Sequence, residues 1–338
     1  LQRILIIQLR QLGDIILTTP CTRELKRAYP DAEIDFLVHK MGGLILPGNP
    51  YINRIISYSE KDSLGEQWQL IQTLRGKRYD LVLDFMYNPR SALLAFLSGA
   101  KRRLAFPSRR RVAYTELVPQ DPESDYIVRE KFAYLRYLGL SPQDESLILP
   151  WSEAHLGPYL ENKGDLFPKL QAMRVILSPT HRREERQWPF AHWAELADWL
   201  VRHWQAQVIW IWGPGEKEFV EQVQGLCQEA TQLAPKTSFR ELAAFMANCD
   251  LFIGNSNGPS HVAVSCRIPS LQLHGPTLAK TWCPLNMQHR AVQKAEMKQI
   301  SVAAVQQTLG EMKPVIEKRV EERQKFGDRM SWNFSTIS

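Results

Sequence analysis

The chain has 338 residues, a formal net charge of +6 and a hydrophobic fraction of 44% that includes 10 Trp, 10 Tyr and 13 Phe. It is too long for one ordinary core and too apolar for extensive disorder, so two domains of about 150 residues each are expected. Five cysteines, Cys21, Cys227, Cys249, Cys266 and Cys283, stand far apart with no C-x-x-C pair, which argues against a disulfide framework or a structural zinc and for buried thiols in the cytoplasm.

RILIIQL at 3–9 reads as a buried strand, ILTTPCTRELKRAYP at 16–30 as a helix, and EIDFLV at 33–38 and INRIISY at 52–58 as strands. The helix EQWQLIQTLRGK at 66–77 and the strand YDLVLDF at 79–85 follow. This alternation predicts a parallel sheet with helices on both faces and ligands beyond the carboxyl ends of its strands. Residues 151–170, WSEAHLGPYLENKGDLFPKL, interrupt the periodicity with Pro and Gly and hold the expected boundary.

A second series then begins. RVILSPT at 174–180 reads as a strand, HWAELADWLVRHW at 192–204 as a helix, and QVIWIWG at 207–213 as a strand. The helices KEFVEQVQGLCQEA at 217–230 and FRELAAFMANC at 239–249 precede the strands DLFIGN at 250–255 and SLQLHGPT at 270–277. Trp193, Leu196, Ala197, Leu200, Val201 and Trp204 keep a 3,4 spacing that faces a core. Val302, Val305, Leu309, Met312 and Ile316 have helical spacing, which Pro314 is expected to break or kink, and 317–338 is expected to fray. The fold class is α/β, with two Rossmann-like domains facing across a cleft. No apolar run approaches the roughly 20 residues of a bilayer crossing, and LQRILIIQLR is too short for a signal peptide.

Four turns carry candidate chemistry. In RQLGD, Gly13 permits a tight approach, and Asp14 sits at or near a helix N-cap, as a plain cap or as a general base. In GNSNGPSHVAVS, Ser256 and Asn257 are capping candidates, the helix start at Gly258 offers N–H groups to phosphate, and His261 donates to an anion or packs beside the sheet. In SPTHRREERQWP, His181, Arg182, Arg183 and Arg186 precede a helix that Pro189 helps to start, and arginine suits diphosphate oxygens. WGPGEKEF resembles a nucleotide loop, but Gly213 and Gly215 do not complete G-x-G-x-x-G; Glu216 could accept from ribose hydroxyls. The absence of D-x-D, Walker A and H-E-x-x-H patterns argues against a metal-held phosphate and an ATPase. Aromatics at core spacing and the lack of a recognised module argue against nucleic-acid binding.

Taken together, ILIIQLRQLGDIILTTPCTRELKRAYPDAEIDFLV, YDLVLDF with RSALLAFLSGAKRRLAF, RQWPFAHWAELADWL, GPGEKE, TSFRELAAFMANCDLFIGNSNGPSHVA and LQLHGPT resemble, in order, glycosyltransferase family 9, the heptosyltransferases of lipopolysaccharide core assembly. The resemblance implies a GT-B fold, with an acceptor-binding domain at 1–160 and a nucleotide-sugar donor domain with a C-terminal helix at 161–338. It implies inverting transfer of heptose from ADP-heptose to an anionic lipid-linked saccharide, without metal or cofactor. Asp14 matches the family's catalytic base and Arg186 the basic residue of "KxWP". Gly258 and His261 match "DTGxxH", whose Asp-Thr pair reads Ser256-Asn257 here. Thr180, His181, Gly213, Glu216, Thr237 and Ser238 fall at other donor-pocket positions, and Gly13, Arg90, Arg109, Arg110 and Arg111 on the acceptor side. The run KRRLAFPSRRR, with Lys101, Arg102 and Arg103, could also meet the inner face of the inner membrane. A family member using another nucleotide sugar or acceptor, or an inactive nucleotide-sugar-binding homologue, is the alternative.

Overall fold

In the computed structural model, residues 1–326 are described apart from 123, 158–160, 162–163, 165 and 167–170. Of the stretch 317–338 expected to fray, 317–326 are helical instead, while 327–338 and part of the interdomain stretch 151–170 lie outside the described residues. The chain divides into two compact units, Leu1–Pro150 and Trp151–Ser338.

The first unit holds β1 (Arg3–Ile7), α1 (Leu12–Ile16), α2 (Thr19–Ala28), β2 (Glu33–His39), β3 (Arg54–Tyr58), α3 (Leu64–Lys77), β4 (Leu81–Asp84), α4 (Pro89–Leu97), β5 (Arg102–Ala105), β6 (Glu116–Leu117) and α5 (Ile127–Tyr137). Its six strands are parallel in the order β3-β2-β1-β4-β5-β6. Ile4, Leu5, Ile6 and Ile7 are all fully buried, as expected of an inner strand covered on both faces.

The second unit holds β7 (Arg174–Ser178), α6 (Phe190–Trp204), β8 (Gln207–Trp210), α7 (Lys217–Gln224), β9 (Gln232–Leu233), α8 (Phe239–Ala247), β10 (Leu251–Asn255), α9 (Gly258–Ser265), β11 (Ser270–His274), α10 (Ala279–Trp282), β12 (His289–Gln293) and α11 (Val302–Phe326). These six strands are also parallel, in the order β12-β11-β10-β7-β8-β9. Counted within each unit, both sheets run 3-2-1-4-5-6. Chain direction therefore reverses beside the first strand in each, between β1 and β4 and between β7 and β10, where open α/β sheets place ligands. Trp188, Trp193 and Trp210 are fully buried and meet edge to face, with centroids 5.0 and 6.3 Å apart.

Three local expectations change. The helix expected at 16–30 is two helices: Thr18 Oγ1 turns back to the Asp14 carbonyl at 2.7 Å, and Pro20 opens the first turn of α2. The helix expected at 217–230 ends at Gln224, where Gly225 takes over. Pro314 lies inside α11 without ending it. Met312 and Ile316 are buried on either side of it, and further along Arg323 pairs with buried Asp250 at 2.8 and 2.9 Å. Packing and this ion pair outweigh the one hydrogen bond that proline forfeits.

Candidate active site

At the β1/β4 crevice, Ile7 is in register with Asp84. Asp14 is half-buried in the first turn of α1, and its Oδ2 accepts from the Gln11 N–H at 3.2 Å. Gln11 is the N-cap, so Asp14 is the third helical residue of a capping box and not the cap itself. Gly13 precedes it, also half-buried. Opposite, Asp84 is buried; Oδ1 accepts from the Met86 and Tyr87 amides at 2.9 and 3.0 Å, and Oδ2 from the Tyr114 hydroxyl at 2.7 Å. Burial pushes the Asp84 carboxyl above its ordinary range, against the pull of those donors. The Met86 sulfur accepts the Leu9 and Arg10 amides at 3.1 and 3.2 Å, which covers the end of β1.

The basic residues expected on the acceptor side are not equivalent. Arg90 lies over the Tyr58 ring at 5.5 Å and donates to Gln67 Oε1 at 3.3 Å. Arg109, Arg110 and Arg111 are exposed, and Arg110 reaches the Tyr87 carbonyl at 3.4 Å, just past the end of β4. Two arginines of the basic run expected to face a partner are held by their own unit: Arg102 forms a two-pronged pair with Glu116 at 2.7 Å, and Arg103 donates to the carbonyls of Ala113 and Ala100. These two arginines fasten β5 to its neighbours.

In the β7/β10 crevice, Ser178 is in register with Gly254. Asn257 caps α9: its side chain accepts from Ser260 N at 3.3 Å and donates to Ser178 Oγ at 3.1 Å and the Thr180 carbonyl at 2.9 Å. One side chain thus ties the two loops of the crevice together. Ser256 does not take the capping role. Gly258 opens α9, and the ring of Phe239, which opens α8, lies beside it. Ser238 caps α8 through Glu241 in a reciprocal box, with Thr237 just before it.

His261 is buried and its Nδ1 has no partner among the described residues, as is true of Asn255 Oδ1 and Gln272 Nε2. Burial pushes the imidazoles of His261 and His274 down to about 4, so both are neutral at pH 7. His181 is also pushed down, by burial and then by the charge of Arg186. Arg186 is half-buried, makes no ion pair among the described residues, and has a buried Nε without a partner. Its proton affinity is lowered by burial and by the like charge of Arg183. A guanidinium that stays protonated among neutral imidazoles, close to an Arg of like charge, suits an anion with several oxygens. Buried Trp188 holds the turn that follows Arg186 by donating its indole N–H to the Ile300 carbonyl at 2.8 Å.

Gly213 and Glu216 lie past the end of β8. Glu216 Oε2 accepts from the Gly213 N–H at 2.8 Å, and a Cβ at 213 would sit 2.9 Å from that oxygen. The glycine therefore makes room for the carboxylate that closes its own turn. Gln272 and His274, joined at 3.3 Å, are polar residues of this crevice that sequence reasoning missed; the signal was the alternation of polar and apolar residues in a fully buried strand, SLQLH.

Residues 67–310, more than half of the chain, match the model of glycosyltransferase family 9 (heptosyltransferase). The chain belongs to this family. Lipopolysaccharide heptosyltransferase 3 of Escherichia coli K12 is 29% identical to this glycosyltransferase over 294 residues, which cover 82% of this chain and 83% of the relative. The family 9 structure from Veillonella parvula superimposes with a TM-score of 0.83 at 21% identity, covering 94% of this chain and 97% of that one. The structure of E. coli ADP-heptose lps heptosyltransferase II gives 0.76 at 22% identity, covering 94% and 99%. The two α/β units are those of the GT-B fold.

Proposed function

We propose that this family 9 glycosyltransferase moves heptose from ADP-heptose to an inner-core lipopolysaccharide acceptor, with inversion and without a metal ion. The observation that carries the reading is Arg186, a half-buried guanidinium without an ion pair among the described residues, whose charge is felt by the neutral imidazoles of His181 and His274. The names of the relatives supply the sugar and the acceptor class. In the second unit, Thr180, His181, Arg186, Gly213, Glu216, Thr237, Ser238, Ser256, Asn257, Gly258 and His261 are the proposed donor residues. In the first, Gly13, Arg90 and Arg109 to Arg111 serve the acceptor.

The transfer is a single displacement. Asp14 takes the proton of an acceptor hydroxyl as that oxygen bonds to the anomeric carbon and the bond from that carbon to the diphosphate oxygen breaks. ADP leaves with the electron pair. Arg186 and the first amides of α9 meet the growing negative charge, each good donor contributing on the order of 3 kcal/mol. The lack of a D-x-D motif fits charge stabilisation of this kind. The deciding variant is Asp14→Ala: turnover of ADP-heptose falls by about a thousandfold or more while ADP affinity by calorimetry is retained. Unimpaired turnover refutes the base role.

Ser256-Asn257 in place of Asp-Thr favours a second reading, a different nucleotide-linked sugar. Thermal shifts with a panel of nucleotide sugars separate the two, because the ligand bound most tightly raises the melting temperature most. We also propose that Arg109, Arg110 and Arg111, beside Val112 at 85% exposure, contact anionic lipid. Vesicle binding at low salt that survives neutralisation of all three arginines removes that contact.

A further inference from the structure

We infer that Lys131 is a positioning residue for Asp14, holding the loop that carries this carboxylate and balancing its charge from inside the first unit. The inference rests on Asp14 as the base. Val128, Lys131, Phe132 and Leu135 form the buried stripe of α5, so a lysine occupies a core position, and it is only 5% exposed. Lysine is almost never buried this far without compensation, since removing an ammonium from water costs several kcal/mol.

The compensation points at one group. Lys131 Nζ donates to Gln8 Oε1 at 3.2 Å and lies 5.0 Å from the centre of the Phe85 ring. No carboxylate comes within 4.0 Å of it among the described residues. The acids whose charge favours the ammonium are Asp14, then Cys21, Glu130 and Asp84. Burial pushes the Cys21 thiol up to about 12, so it supplies no charge at neutral pH. Both oxygens of Asp84 are already occupied by the Met86 and Tyr87 amides and the Tyr114 hydroxyl. Glu130 is half-buried on α5 itself, with Oε1 accepting from Gln120 at 3.5 Å. Asp14 is left as the largest electrostatic support of the lysine.

The hydrogen bonds give the same direction. Gln8, itself buried, receives the ammonium at Oε1 and donates through Nε2 to the Arg10 carbonyl, so the lysine is tied to the segment between β1 and α1. The Thr18 hydroxyl lies 3.5 Å from the same Gln8 oxygen and donates to the Asp14 carbonyl at 2.7 Å. Lys131, Gln8 and Thr18 thus brace both sides of the one-turn helix on which Asp14 stands. Removing the lysine takes away one of the bonds that fix the Gln8 amide and a positive charge that faces Asp14 from inside the unit.

Two measurements on the full chain test this. In a ¹³Cε NMR titration, Lys131 loses its proton at a pH lower by about one unit or more in Asp14→Asn than in wild type, because its main supporting charge is gone. An unchanged Lys131 titration overturns the inference, and this readout needs no substrate. With ADP-heptose and a truncated lipopolysaccharide, Lys131→Met loses about thirtyfold or more in kcat while KM for ADP-heptose stays within about threefold, and Lys131→Arg recovers most of the loss. A lower melting temperature with kcat intact per folded molecule indicates a purely structural lysine and also overturns it. Should Lys131→Met fail to fold, the titration and Lys131→Arg decide. Full turnover in Asp14→Asn defeats the base reading and this inference with it, whereas an inactive Asp14→Asn beside a fully active Lys131→Met defeats only this inference.

Discussion

The two halves share a strand order and differ in what they place at its reversal point. In both, the fourth strand runs into a helix capped by asparagine with proline in the first turn: Asn88 before Pro89, and Asn257 before Gly258 and Pro259. Around that common frame the first half gathers acids, Asp14 and Asp84, with a lysine buried behind them. The second gathers a cation and neutral imidazoles, Arg186 with His181, His261 and His274. Strand order decides where a ligand can sit; only the side chains decide whether that place suits a proton acceptor or a departing anion.

The largest effect that would sharpen this contrast is Arg186→Ala. It is expected to lower kcat/KM by about a hundredfold and to weaken ADP binding, the opposite of the Asp14→Ala pattern of intact binding and lost turnover. Equal ADP affinity in wild type and Arg186→Ala would break the division of labour.

Acid should also separate the halves. His261, His274 and His289 lie in the second unit and burial holds each at about 4, below the ordinary 6.5 of an unfolded histidine. Between those values the unfolded chain binds more protons, so their contribution to stability is whole above about pH 6.5 and is lost as pH falls toward 4, by up to about 3 kcal/mol for each imidazole. Asp84 in the first unit, raised by burial, contributes in the opposite sense. Hydrogen exchange read by mass spectrometry at pH 5 and pH 7, corrected for intrinsic rates, should show the second unit opening first on acidification; simultaneous opening breaks the contrast.

The smallest effect compares the two caps. Asn88→Ala is expected to cost about 1 kcal/mol in thermal unfolding, a usual value for a lost cap. Asn257→Ala should cost more, about 2 kcal/mol, because the bonds to Ser178 and Thr180 go with it.

Much of this frame was legible before any coordinates, because inner parallel strands write themselves as unbroken apolar runs such as RILII and LVLD. The loops after them were legible for the same reason: a polar turn following a buried strand has few other places to be. The edge strands β6 and β9 were not, since two residues apiece carry no period. Lys131 was hidden because a single charge in an otherwise helical stripe reads as a solvent-facing residue until its neighbours are known. In the basic run from Lys101 to Arg111, charge alone does not separate Arg102, paired with Glu116, from exposed Arg109. Pro314 shows propensity overruled by packing from both sides.

Trp188 has a consequence that reaches past its own turn. Its indole hydrogen bond ends on Ile300, two residues before the last described helix begins, so the turn that follows Arg186, the proposed anion holder, and the start of that helix are joined through one buried ring. Trimming or unseating that helix would slacken the grip on the leaving group without touching any residue of the crevice, and a Trp188→Phe enzyme, keeping the bulk and losing the tether, would reveal how much of the grip is borrowed from there.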